Sequence, residues 1–549
     1  ALAFAQDAPF ALAETDPPRQ STAALWADIN GDGDLDLLFG DGQDQNGVYL
    51  GNGNGGFNST RRNSIGFPFT DGVFADLDND GDLDLAVGSL SRSGLMLNQN
   101  GQYVRTPSAV SDYNETRGMN AVDVNNDGNL DLFLVRRFSS RNVLLLGDGQ
   151  GGFTRQPGPH ETNHDSNGAC WADFDADGDV DGFVLGSVGT PNELLVNENG
   201  VLTPTAHAAE LPAPSSRACT WADVDRDGDL DLTVGSANGI RVFLQTNGHT
   251  FRLAPDRAFP VREIDVIGLT WGDVDNDGDL DLIAANRDES AKLYRNEGNR
   301  VTEIEILPEL TSSLYFVAAA LADYDRDGDL DLALPAGNTN RDDESYILAN
   351  TSTGGNWLQV RLVGTASNRE GIGALLEATA TIRDRERVLV RPRQAKTGRR
   401  AQSGSYVHFG LGDAAEVTSL TVRWPSGAVQ TVGPFAAGQF VEIVEPTNDL
   451  TSPVQATNAS KTTAFGLEVS PNPARGAVSV RVGVPEAGTV LAEAFDVTGR
   501  SVWSEARTSE GGEQVEMVWN TGREVAAGSY VVRVRVGETV ATRQVTIVR

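Results

Sequence analysis

Seven short runs of the chain carry oxygen-bearing side chains at a spacing that could bind a metal ion. Each run has nine residues, with Asp at positions 1, 5 and 9, Asp or Asn at position 3 and Gly at position 6, as in residues 223–231. Calcium takes about six to eight hard oxygen ligands in a flexible shell, and glycine permits the sharp turn that such a loop needs. The spacing therefore predicts about seven Ca²⁺ sites, one per run.

The predicted ligands are the side chains at positions 1, 3 and 5, the backbone carbonyl at position 7 and a bidentate Asp at position 9. The residues at these positions are Asp28, Asn30, Asp32, Asp34 and Asp36; Asp76, Asp78, Asp80, Asp82 and Asp84; Asp123, Asn125, Asp127, Asn129 and Asp131; Asp173, Asp175, Asp177, Asp179 and Asp181; Asp223, Asp225, Asp227, Asp229 and Asp231; Asp273, Asp275, Asp277, Asp279 and Asp281; and Asp323, Asp325, Asp327, Asp329 and Asp331. Because ligand charge tunes affinity, the asparagines predict weaker sites in the first and third runs.

Solvated acidic turns are the alternative interpretation, because Asp, Asn and Gly favour turns for local backbone reasons. Seven copies in register make it a poor one, since each position 9 Asp stands in an apolar run, as Asp36 does between Leu35 and Leu37. A carboxylate held that close to a core without a partner is costly, and a bound cation would remove the cost. An EF-hand is also disfavoured, because position 12 is Phe39 or Val87 instead of Glu.

The bulk composition assigns most of the charge to these loops. The formal net charge is −34, and the seven runs hold 32 of the 77 acidic residues, so the remaining 45 nearly balance the 43 Lys and Arg. Such a distribution argues against nucleic-acid binding through a basic surface. No stretch approaches the roughly 20 apolar residues of a transmembrane helix.

The runs recur every 47–50 residues, which predicts an array of repeated units. Each unit contains four short strand-like segments, for example residues 169–173, 180–185, 193–197 and 201–205 in the fourth unit. Four strands per repeat are typical of a propeller blade, and a closed ring of seven removes exposed sheet edges. The last unit lacks an outer strand, so we expect residues 8–15 to complete it.

This region, residues 8–352, resembles the FG-GAP/VCBS repeats, the propeller also found in integrin α-subunit heads. The likeness rests on the motif in residues 221–232, Trp-Ala-Asp-Val-Asp-Arg-Asp-Gly-Asp-Leu-Asp-Leu. It implies that the calcium loops cluster on one face of the ring. Partner contacts would then fall to loops of the other face, such as residues 61–71, 107–118 and 156–168.

Two further modules follow. Residues 355–445, which include Gly371-Ile-Gly-Ala374 and Val407-His-Phe-Gly-Leu-Gly412, resemble the ASPIC/UnbV domain that follows such repeats in cartilage acidic protein and in many bacterial secreted proteins. Residues 446–464 are polar and aperiodic and predict a linker. Residues 465–549 include Phe495-Asp-Val-Thr-Gly-Arg500 and Ala527-Gly-Ser-Tyr-Val-Val-Arg-Val534 and are similar to the C-terminal sorting domain of type IX secretion, which implies export from a Bacteroidota-type bacterium. Residues 1–7 resemble the end of a signal peptide. The predicted fold class is all-β, a seven-bladed propeller plus two small β-sandwich-like domains.

Three local features leave alternatives open. The row of Arg383, Arg385, Arg387, Arg391, Arg393, Lys396, Arg399 and Arg400 would contact an anionic glycan or an acidic propeller surface, or be an exposed strand face. Cys170 and Cys219 stand one position out of register in their units, so free thiols are preferred to a disulfide. His160 to His164 match the zinc-protease pattern H-E-x-x-H, but that pattern needs a helix, and Pro157 and Pro159 oppose one.

The function that follows is an interaction and not a reaction. No nucleophile motif or phosphate loop is present in the sequence, so the chain is predicted not to be an enzyme. The leading hypothesis is a secreted or surface-attached bacterial calcium-binding protein that binds an extracellular glycan or protein through propeller loops. The alternative is a structural subunit that assembles with copies of itself into a filament, tube or layer.

Overall fold

The computed structural model describes most of the chain in two compact units, Ala1–Asp449 and Leu450–Arg549. The described residues are 9–446 and 467–547, with gaps at 44–45, 62–66, 100, 139, 163, 206–214, 247–249, 256–263, 288, 299, 307–314, 338–342, 353, 471–476, 485–487, 497–499, 510–512, 521–524, 526–527 and 537–538. The predicted signal-peptide end, nearly all of the predicted linker and two of the five histidines, His207 and His249, lie outside them.

Repeated four-stranded antiparallel sheets make up the first 350 residues. In chain order the strands are β1 (Phe10–Arg19), β2 (Ser21–Ala27), β3 (Asp36–Asp41), β4 (Gly47–Gly51), β5 (Phe57–Arg61), β6 (Asp71–Ala75), β7 (Asp84–Gly88), β8 (Gly94–Asn98), β9 (Tyr103–Thr106), β10 (Thr116–Val122), β11 (Asp131–Arg136), β12 (Val143–Gly147), β13 (Phe153–Gln156), β14 (Ser166–Ala172), β15 (Asp181–Gly186), β16 (Glu193–Glu198), β17 (Val201–Pro204), β18 (Ser216–Ala222), β19 (Asp231–Ser236), β20 (Gly239–Thr246), β21 (Thr250–Leu253), β22 (Val266–Gly272), β23 (Asp281–Asn286), β24 (Lys292–Asn296), β25 (Val301–Glu305), β26 (Ala320–Ala322), β27 (Asp331–Leu334) and β28 (Asp343–Asn350). A short 3₁₀ helix, Ala109–Asp112, precedes β10.

Six of these sheets are built from four successive strands, from β2–β5 to β22–β25, and a seventh has the order β1-β28-β27-β26. In that sheet β1 pairs antiparallel with β28, with Phe10 opposite Asn350, so the sheet is assembled from both ends of the region. The strands predicted for the fourth unit are confirmed as β14–β17, although the first begins at Ser166 instead of residue 169.

The sheets are arranged with their first strands at the centre. All seven residues of β2 and of β14 are buried, whereas only Phe153 is buried in the outer strand β13. The first strands contact one another in the order β2, β6, β10, β14, β18, β22 and β26, and β26 contacts β2. Apolar side chains from neighbouring sheets form the clusters between them. This arrangement is typical of a β-propeller.

Cys170 and Cys219 form a disulfide, with their Cα atoms 5.9 Å apart, so the prediction of free thiols is wrong. Because side chains alternate along a strand, the one-residue offset predicts that the two cysteines lie on opposite faces of equivalent strands. They do lie on opposite faces, but of the neighbouring strands β14 and β18, whose sheets pack against each other in one apolar cluster. Opposite faces of adjacent sheets meet, so the one-residue offset brings the two sulfur atoms together.

The second region of this unit packs two further sheets around its own core. Its strands are β29 (Asn356–Val363), β30 (Leu375–Ile382), β31 (Arg385–Pro392), β32 (Ala401–Gln402), β33 (Val407–Gly412), β34 (Glu416–Arg423), β35 (Val429–Val432), β36 (Phe435–Ala436) and β37 (Gln439–Val444). One sheet has the order β33-β29-β37 and the other β31-β30-β34-β35, with β36 on β34. Leu358, Phe409 and Trp424 are among the buried side chains between them.

Between β31 and β33 the chain leaves this domain and enters the centre of the ring of sheets. We name residues 393–404 the plug segment. Its strand β32 pairs in parallel with β2, with Ala401 opposite Ala24. The Gly404 N–H donates to Leu321 O at 3.0 Å, and Gly398 lies against the carbonyl oxygen of Leu269. The segment thus contacts first strands from several sheets.

The arginine row therefore contacts the acidic surface of the ring, one of the two partners, beside an anionic glycan, that the sequence left open for it. Arg383 and Arg387 reach Asp277 and Asp279 at 3.1 and 3.2 Å, and Lys396 forms a buried ion pair with Asp71. Arg385 remains exposed on its strand. Arg383, Arg385 and Arg387 have the i, i+2 spacing that predicts one shared strand face. This prediction is wrong, because Arg383 lies in the turn before β31 with a φ of 52°.

The described part of the second unit contains seven strands in two sheets. In neither unit do the described residues include a helix long and apolar enough to cross a membrane. The strands are β38 (Leu467–Ser470), β39 (Ala477–Val484), β40 (Gly488–Asp496), β41 (Ser501–Ser509), β42 (Glu513–Asn520), β43 (Gly528–Val536) and β44 (Thr539–Ile547). The sheets have the orders β38-β39-β42 and β41-β40-β43-β44. Val480, Met517 and Trp519 are buried in their shared core. The likeness to a sorting domain stays a prediction.

Removal of the polar contacts of the plug segment should lower the free energy of unfolding measurably. Gln402 is buried; its Oε1 accepts the Phe74 N–H at 2.8 Å and its Nε2 donates to Phe74 O at 2.9 Å. Gln402→Ala leaves both backbone groups without partners, and we expect the free energy of unfolding to fall by about 2–4 kcal/mol. Chemical denaturation measures it. Gln439→Ala, which removes an exposed bond in the same domain, is the control, and equal effects would contradict the role of the plug.

Candidate metal centre

All seven acidic loops lie at the same end of the sheets. Each loop joins the first strand of a sheet to the second; the loop of residues 223–231, for example, follows β18 and ends with Asp231, the first residue of β19. Position 9 is therefore the point at which the chain re-enters the sheet. The repeated connection explains how sequence positions about 50 residues apart reach equivalent places on one face.

Inside each loop, backbone N–H groups donate to the carboxylates and fix their orientation. In the fourth loop Asp173 Oδ2 accepts the Gly178 N–H at 3.0 Å, and Asp177 Oδ1 accepts the Asp179 N–H at 2.9 Å. Gly178 has a φ of 99°, in the left-handed region that glycine adopts without strain. These short-range bonds explain the positions of Gly and Asp in the motif and hold the turn closed on its own side chains.

The position 9 carboxylates are fully buried and bonded to backbone at both oxygens. Asp231 Oδ2 accepts the Val224 N–H of its own loop at 2.9 Å, and Oδ1 accepts the Gln245 N–H of β20 at 2.8 Å. Equivalent bonds occur in all seven loops. The expectation that this carboxylate has no partner except a cation is therefore wrong, because two amides offset part of its burial.

The structure brings positions 1, 3 and 9 together. In five loops one carboxylate oxygen from each of these positions lies within 4.8 Å of the other two, and such a group could hold a metal ion. The five groups are Asp76, Asp78 and Asp84; Asp173, Asp175 and Asp181; Asp223, Asp225 and Asp231; Asp273, Asp275 and Asp281; and Asp323, Asp325 and Asp331. The position 5 carboxylates do not join these groups.

The donor set fits a hard cation. Among the described residues, Asp76 Oδ1, Asp223 Oδ1 and Asp323 Oδ1 are buried without a hydrogen-bond partner. All three belong to position 1, beside the position 3 and position 9 carboxylates. Buried acceptors that converge on one point without donors are costly, and a cation supplies the missing partner. The residues present therefore fit a divalent ion bound through oxygen.

Burial also raises the pKa of these carboxyl groups. It raises the pKa of Asp131 to about 8 and that of Asp36 to about 7, while two backbone hydrogen bonds lower the pKa in each case and neighbouring loop carboxylates raise it further. At position 1, burial raises the pKa of Asp123 and Asp173 to about 7. The carboxylates that would bind an ion are thus those whose charge is most costly without one.

Position 4, to which the sequence analysis gave no role, links neighbouring loops. Its residues have left-handed φ angles of 51–74°. In five loops the position 4 side chain reaches the position 7 side chain of the next loop. The pairs are Asn79 with Asn129, Asn126 with Asp179, Arg226 with Asp279, Asn276 with Asp329, and Arg326 with Asp34. The last pair joins the seventh loop to the first. Gly31 and Ala176 are too short to make this contact.

The second region of the first unit, which contains β29–β37 and which we name the second domain, lies over the loops and contributes side chains to them. Gln359 Nε2 donates to Asp323 Oδ2 at 2.6 Å, and Arg369 lies 3.8 Å from Asp76 Oδ2. The buried Arg391 is beside Asp223 and Asp273 and lowers the pKa of both, although burial raises each more strongly. The only sequence signal for these contacts was the cationic row itself.

The H-E-x-x-H sequence does not form a zinc site in the described residues. Residues 157–162 lie in bends and turns, not in a helix. His160 is buried and packs edge-on against Phe133, and His164 Nδ1 lies 2.8 Å from Glu193. Glu161 pairs with Arg155 at 2.8 Å. The two histidines have separate contacts, and the described residues around them are not helical, which is the local structure that the flanking prolines predicted.

Three solved structures are similar to the chain at low identity. A lectin of Agrocybe aegerita that recognises non-reducing terminal N-acetylglucosamine is 17% identical, with a TM-score of 0.41, over 54% of this chain and 82% of the lectin. BBS1N, crystallised with ARL6DN, is 14% identical, with a TM-score of 0.42, over 62% and 97%. The extracellular domain of the hybrid two-component system BT4673 of B. thetaiotaomicron is 11% identical, with a TM-score of 0.39, over 97% and 78%. No curated protein sequence matches the chain.

The protein-family comparison matches both regions of the first unit. The ASPIC and UnbV family matches residues 364–450. The FG-GAP-like repeat matches six overlapping segments, 28–87, 76–134, 123–184, 173–234, 223–284 and 273–334, which together span more than half of the 549 residues. The chain therefore belongs to the FG-GAP-like repeat family and carries an ASPIC/UnbV domain after its repeats.

Proposed function

We propose that the protein is an extracellular, calcium-stabilised interaction protein built on a seven-bladed propeller, and that it is not an enzyme. The observation that carries the calcium assignment is the convergence of three carboxylates in repeated loops, together with the unpartnered position 1 oxygens. All donors are carboxylate or amide oxygens, which suit Ca²⁺ and exclude a soft metal preference. The contacts of β26 with β2 and of Arg326 with Asp34 support closure after seven sheets.

The disulfide supports the extracellular assignment. Disulfides persist in oxidising compartments and are rare where thiols are kept reduced, and Cys170 and Cys219 are the only cysteines of the chain. The repeats and the ASPIC/UnbV domain suggest the same class of extracellular interaction protein. Export through a type IX sorting domain and attachment to a bacterial surface remain part of the proposal.

The partner is assigned to the end of the ring opposite the loops. The second domain covers loop-bearing ends of the sheets through Gln359, Arg369 and Arg391, which leaves that face less accessible. Connections at the other end carry exposed residues, among them Val188, which is 80% exposed. A partner glycan or protein would bind there, on loops held by a rigid scaffold. Assembly of the chain with copies of itself remains the alternative.

Calcium binding predicts that a ligand side chain matters only when the ion is present. Asp78, at position 3, is half-buried and accepts one weak bond from Asp80 N–H at 3.3 Å. We expect Asp78→Ala to remove about 2–3 kcal/mol of the stabilisation by calcium at saturating concentration and one bound ion, with little change in chelator. Denaturation with calcium or with chelator, and calorimetric stoichiometry, measure these effects.

Asp84→Asn is the comparison for Asp78→Ala, because Asp84, at position 9, would bind the ion and also accepts backbone hydrogen bonds. Its carboxylate accepts the Leu77 and Asn98 N–H groups at 2.9 and 2.8 Å. The substitution should lower stability by about 1–3 kcal/mol even in chelator. If Asp78→Ala left both the calcium response and the stoichiometry unchanged, the second loop would not bind the ion.

The pKa shifts predict the pH dependence of the chelated protein. The folded-state pKa of Asp131 is raised to about 8 and that of Asp231 to about 8, above the ordinary 3.8, so between these values the folded state binds more protons than the unfolded chain. In chelator, the free energy of unfolding should therefore fall as pH rises from about 5 to about 8. With calcium the fall should shrink or reverse, because the ion binds the deprotonated carboxylates.

Thermal denaturation at several pH values measures this dependence. About 0.5 M sodium chloride screens the general repulsion of a chain with a net charge of −34 and isolates the buried groups. A chelated protein that is more stable at pH 8 than at pH 5 would contradict the assignment.

A bulky label on the face opposite the loops should block partner binding. Val188→Cys, labelled with maleimide-polyethylene glycol, places the polymer there, while the two native cysteines are protected as a disulfide. We expect binding to an array of extracellular glycans and matrix proteins to fall at least about tenfold, as expected where a contact surface is covered. Val429→Cys, in the second domain and 59% exposed, is the labelled control. Equal binding by both would place the partner elsewhere.

A further inference from the structure

Six arginines converge at the end of the ring opposite the acidic loops. Together they line a cavity of about 500 Å³, and we name this group the arginine basin. Its members are Arg117, Arg137, Arg217, Arg287, Arg399 and Arg400. The concentration of positive charge is unexpected in a chain whose formal net charge is −34.

The topology explains how distant parts of the chain meet there. Arg117 and Arg217 are the second residues of β10 and β18, at the end of each first strand remote from its acidic loop. Arg137 and Arg287 follow directly after β11 and β23, which return to the same end. Arg399 and Arg400 belong to the plug segment. The second domain therefore supplies two members of a site on the far face of the ring.

Four of the arginines have carboxylate partners. Arg117 lies 3.8 Å from Asp165, and Arg137 lies 2.6 Å from Glu115. Arg217 and Arg287 share Asp265, at 3.2 and 3.3 Å. These pairs hold the guanidinium groups in place around the cavity and neutralise part of their charge.

The two plug arginines have no such partner. Among the described residues, neither Arg399 nor Arg400 forms an ion pair, and the Nε–H of each is buried without an acceptor. The nearby Asp71 is bound to Lys396. Within the described part of the chain, six guanidinium groups thus face three carboxylates, Asp165, Glu115 and Asp265, which leaves an excess of positive charge at the plug.

Backbone geometry and protonation point the same way. Arg400 has a φ of 60°, an uncommon conformation for a residue with a Cβ, and its carbonyl accepts the Ala24 N–H at 3.0 Å. Burial lowers the pKa of Arg399 well below its usual range, and the charges of Arg400 and Arg117 lower it further. The fold therefore holds like charges together where an anionic ligand would stabilise them.

We propose that the arginine basin binds a small ligand that carries an oxyanion group, with Arg399 and Arg400 as the main contacts. Arginine donates paired N–H groups that match carboxylate, sulfate and phosphate, and such charge-assisted bonds are strong where water is limited. The cavity volume suits a mono- or disaccharide-sized molecule. Ser89, Ser187 and Asn167 lie among the arginines and offer polar contacts to the body of the ligand. The assignment rests on the proposed function, because it names the chemistry of the partner at that face.

Titration calorimetry with four probes in calcium buffer of constant ionic strength tests the proposal. The probes are digalacturonate, a sulfated heparin disaccharide, inorganic phosphate and, as the neutral comparison, maltose. We expect at least one of the anionic probes to bind and maltose not to bind. Binding of both acidic sugars but not phosphate identifies a sugar-borne group, and binding of phosphate identifies a free anion. No binding of any anionic probe overturns the proposal.

Variants locate the site. Arg399→Gln should weaken anion binding at least about tenfold, because it removes an uncompensated charge. Arg217→Gln, at the rim of the cavity, is the second variant if Arg399→Gln fails to fold, and it should weaken binding several-fold. Arg423→Gln, an exposed residue of the second domain paired with Glu377, is the control. Equal affinity in all variants would place anion binding elsewhere and overturn the assignment.

The same samples separate this proposal from the general function. Stabilisation by calcium is measured on each variant, and it should be unchanged because the arginine basin lies at the other end of the ring. If calcium stabilises the protein and the label at Val188 blocks partner binding, but no anionic probe binds, the basin assignment fails and the interaction function stands.

Discussion

The structure of the first unit depends on seven buried carboxylates, one where each acidic loop re-enters its sheet. Each accepts one N–H from its own loop and one from the end of the third strand of the same sheet, as Asp331 does from Tyr324 and Asn350. A single side chain therefore ties a loop and two strands together. Because its burial raises its pKa, the same group stabilises the sheet best when a cation shares its charge. Packing of the sheet and the proposed affinity for calcium thus depend on the same residue.

Three separate contacts join the two ends of the ring, at its outer edge, at its loop face and at its centre. At the outer edge β1 pairs with β28, so the last sheet is completed by the first strand of the chain. At the loop face Arg326 reaches back to Asp34. At the centre, β32 of the plug segment pairs with β2, and the Gly404 N–H donates to Leu321 O in β26, the innermost strand of the seventh sheet. An open array would expose sheet edges, and each of these contacts joins the two ends that an opening would separate.

The sequence was sufficient to predict a contact where both partners lie within one repeat. The nine-residue spacing predicted the loops, because the bonds that close each turn run between residues only two to five positions apart, as from Gly178 to Asp173. It did not predict side-chain contacts between neighbouring repeats. The Cys170–Cys219 disulfide and the Asn276–Asp329 bond depend on how adjacent sheets pack, and that geometry leaves no periodic signal. The plug was missed for a similar reason, since β32 has two residues and its partners are more than 300 positions away.

The two ends of the ring have opposite electrostatic character, and the plug segment connects them. Arg391, in β31, and Arg393, the first residue of the plug segment, lie near acidic groups at the loop end, whereas Arg399 and Arg400 line the cavity at the other end. The domain that carries the plug segment therefore places cationic side chains at both ends of the ring. Arg383 and Arg387 pair with loop carboxylates at one end, and Arg399 and Arg400 line the cavity at the other. The ASPIC/UnbV domain thus contributes side chains to both ends of the ring of sheets.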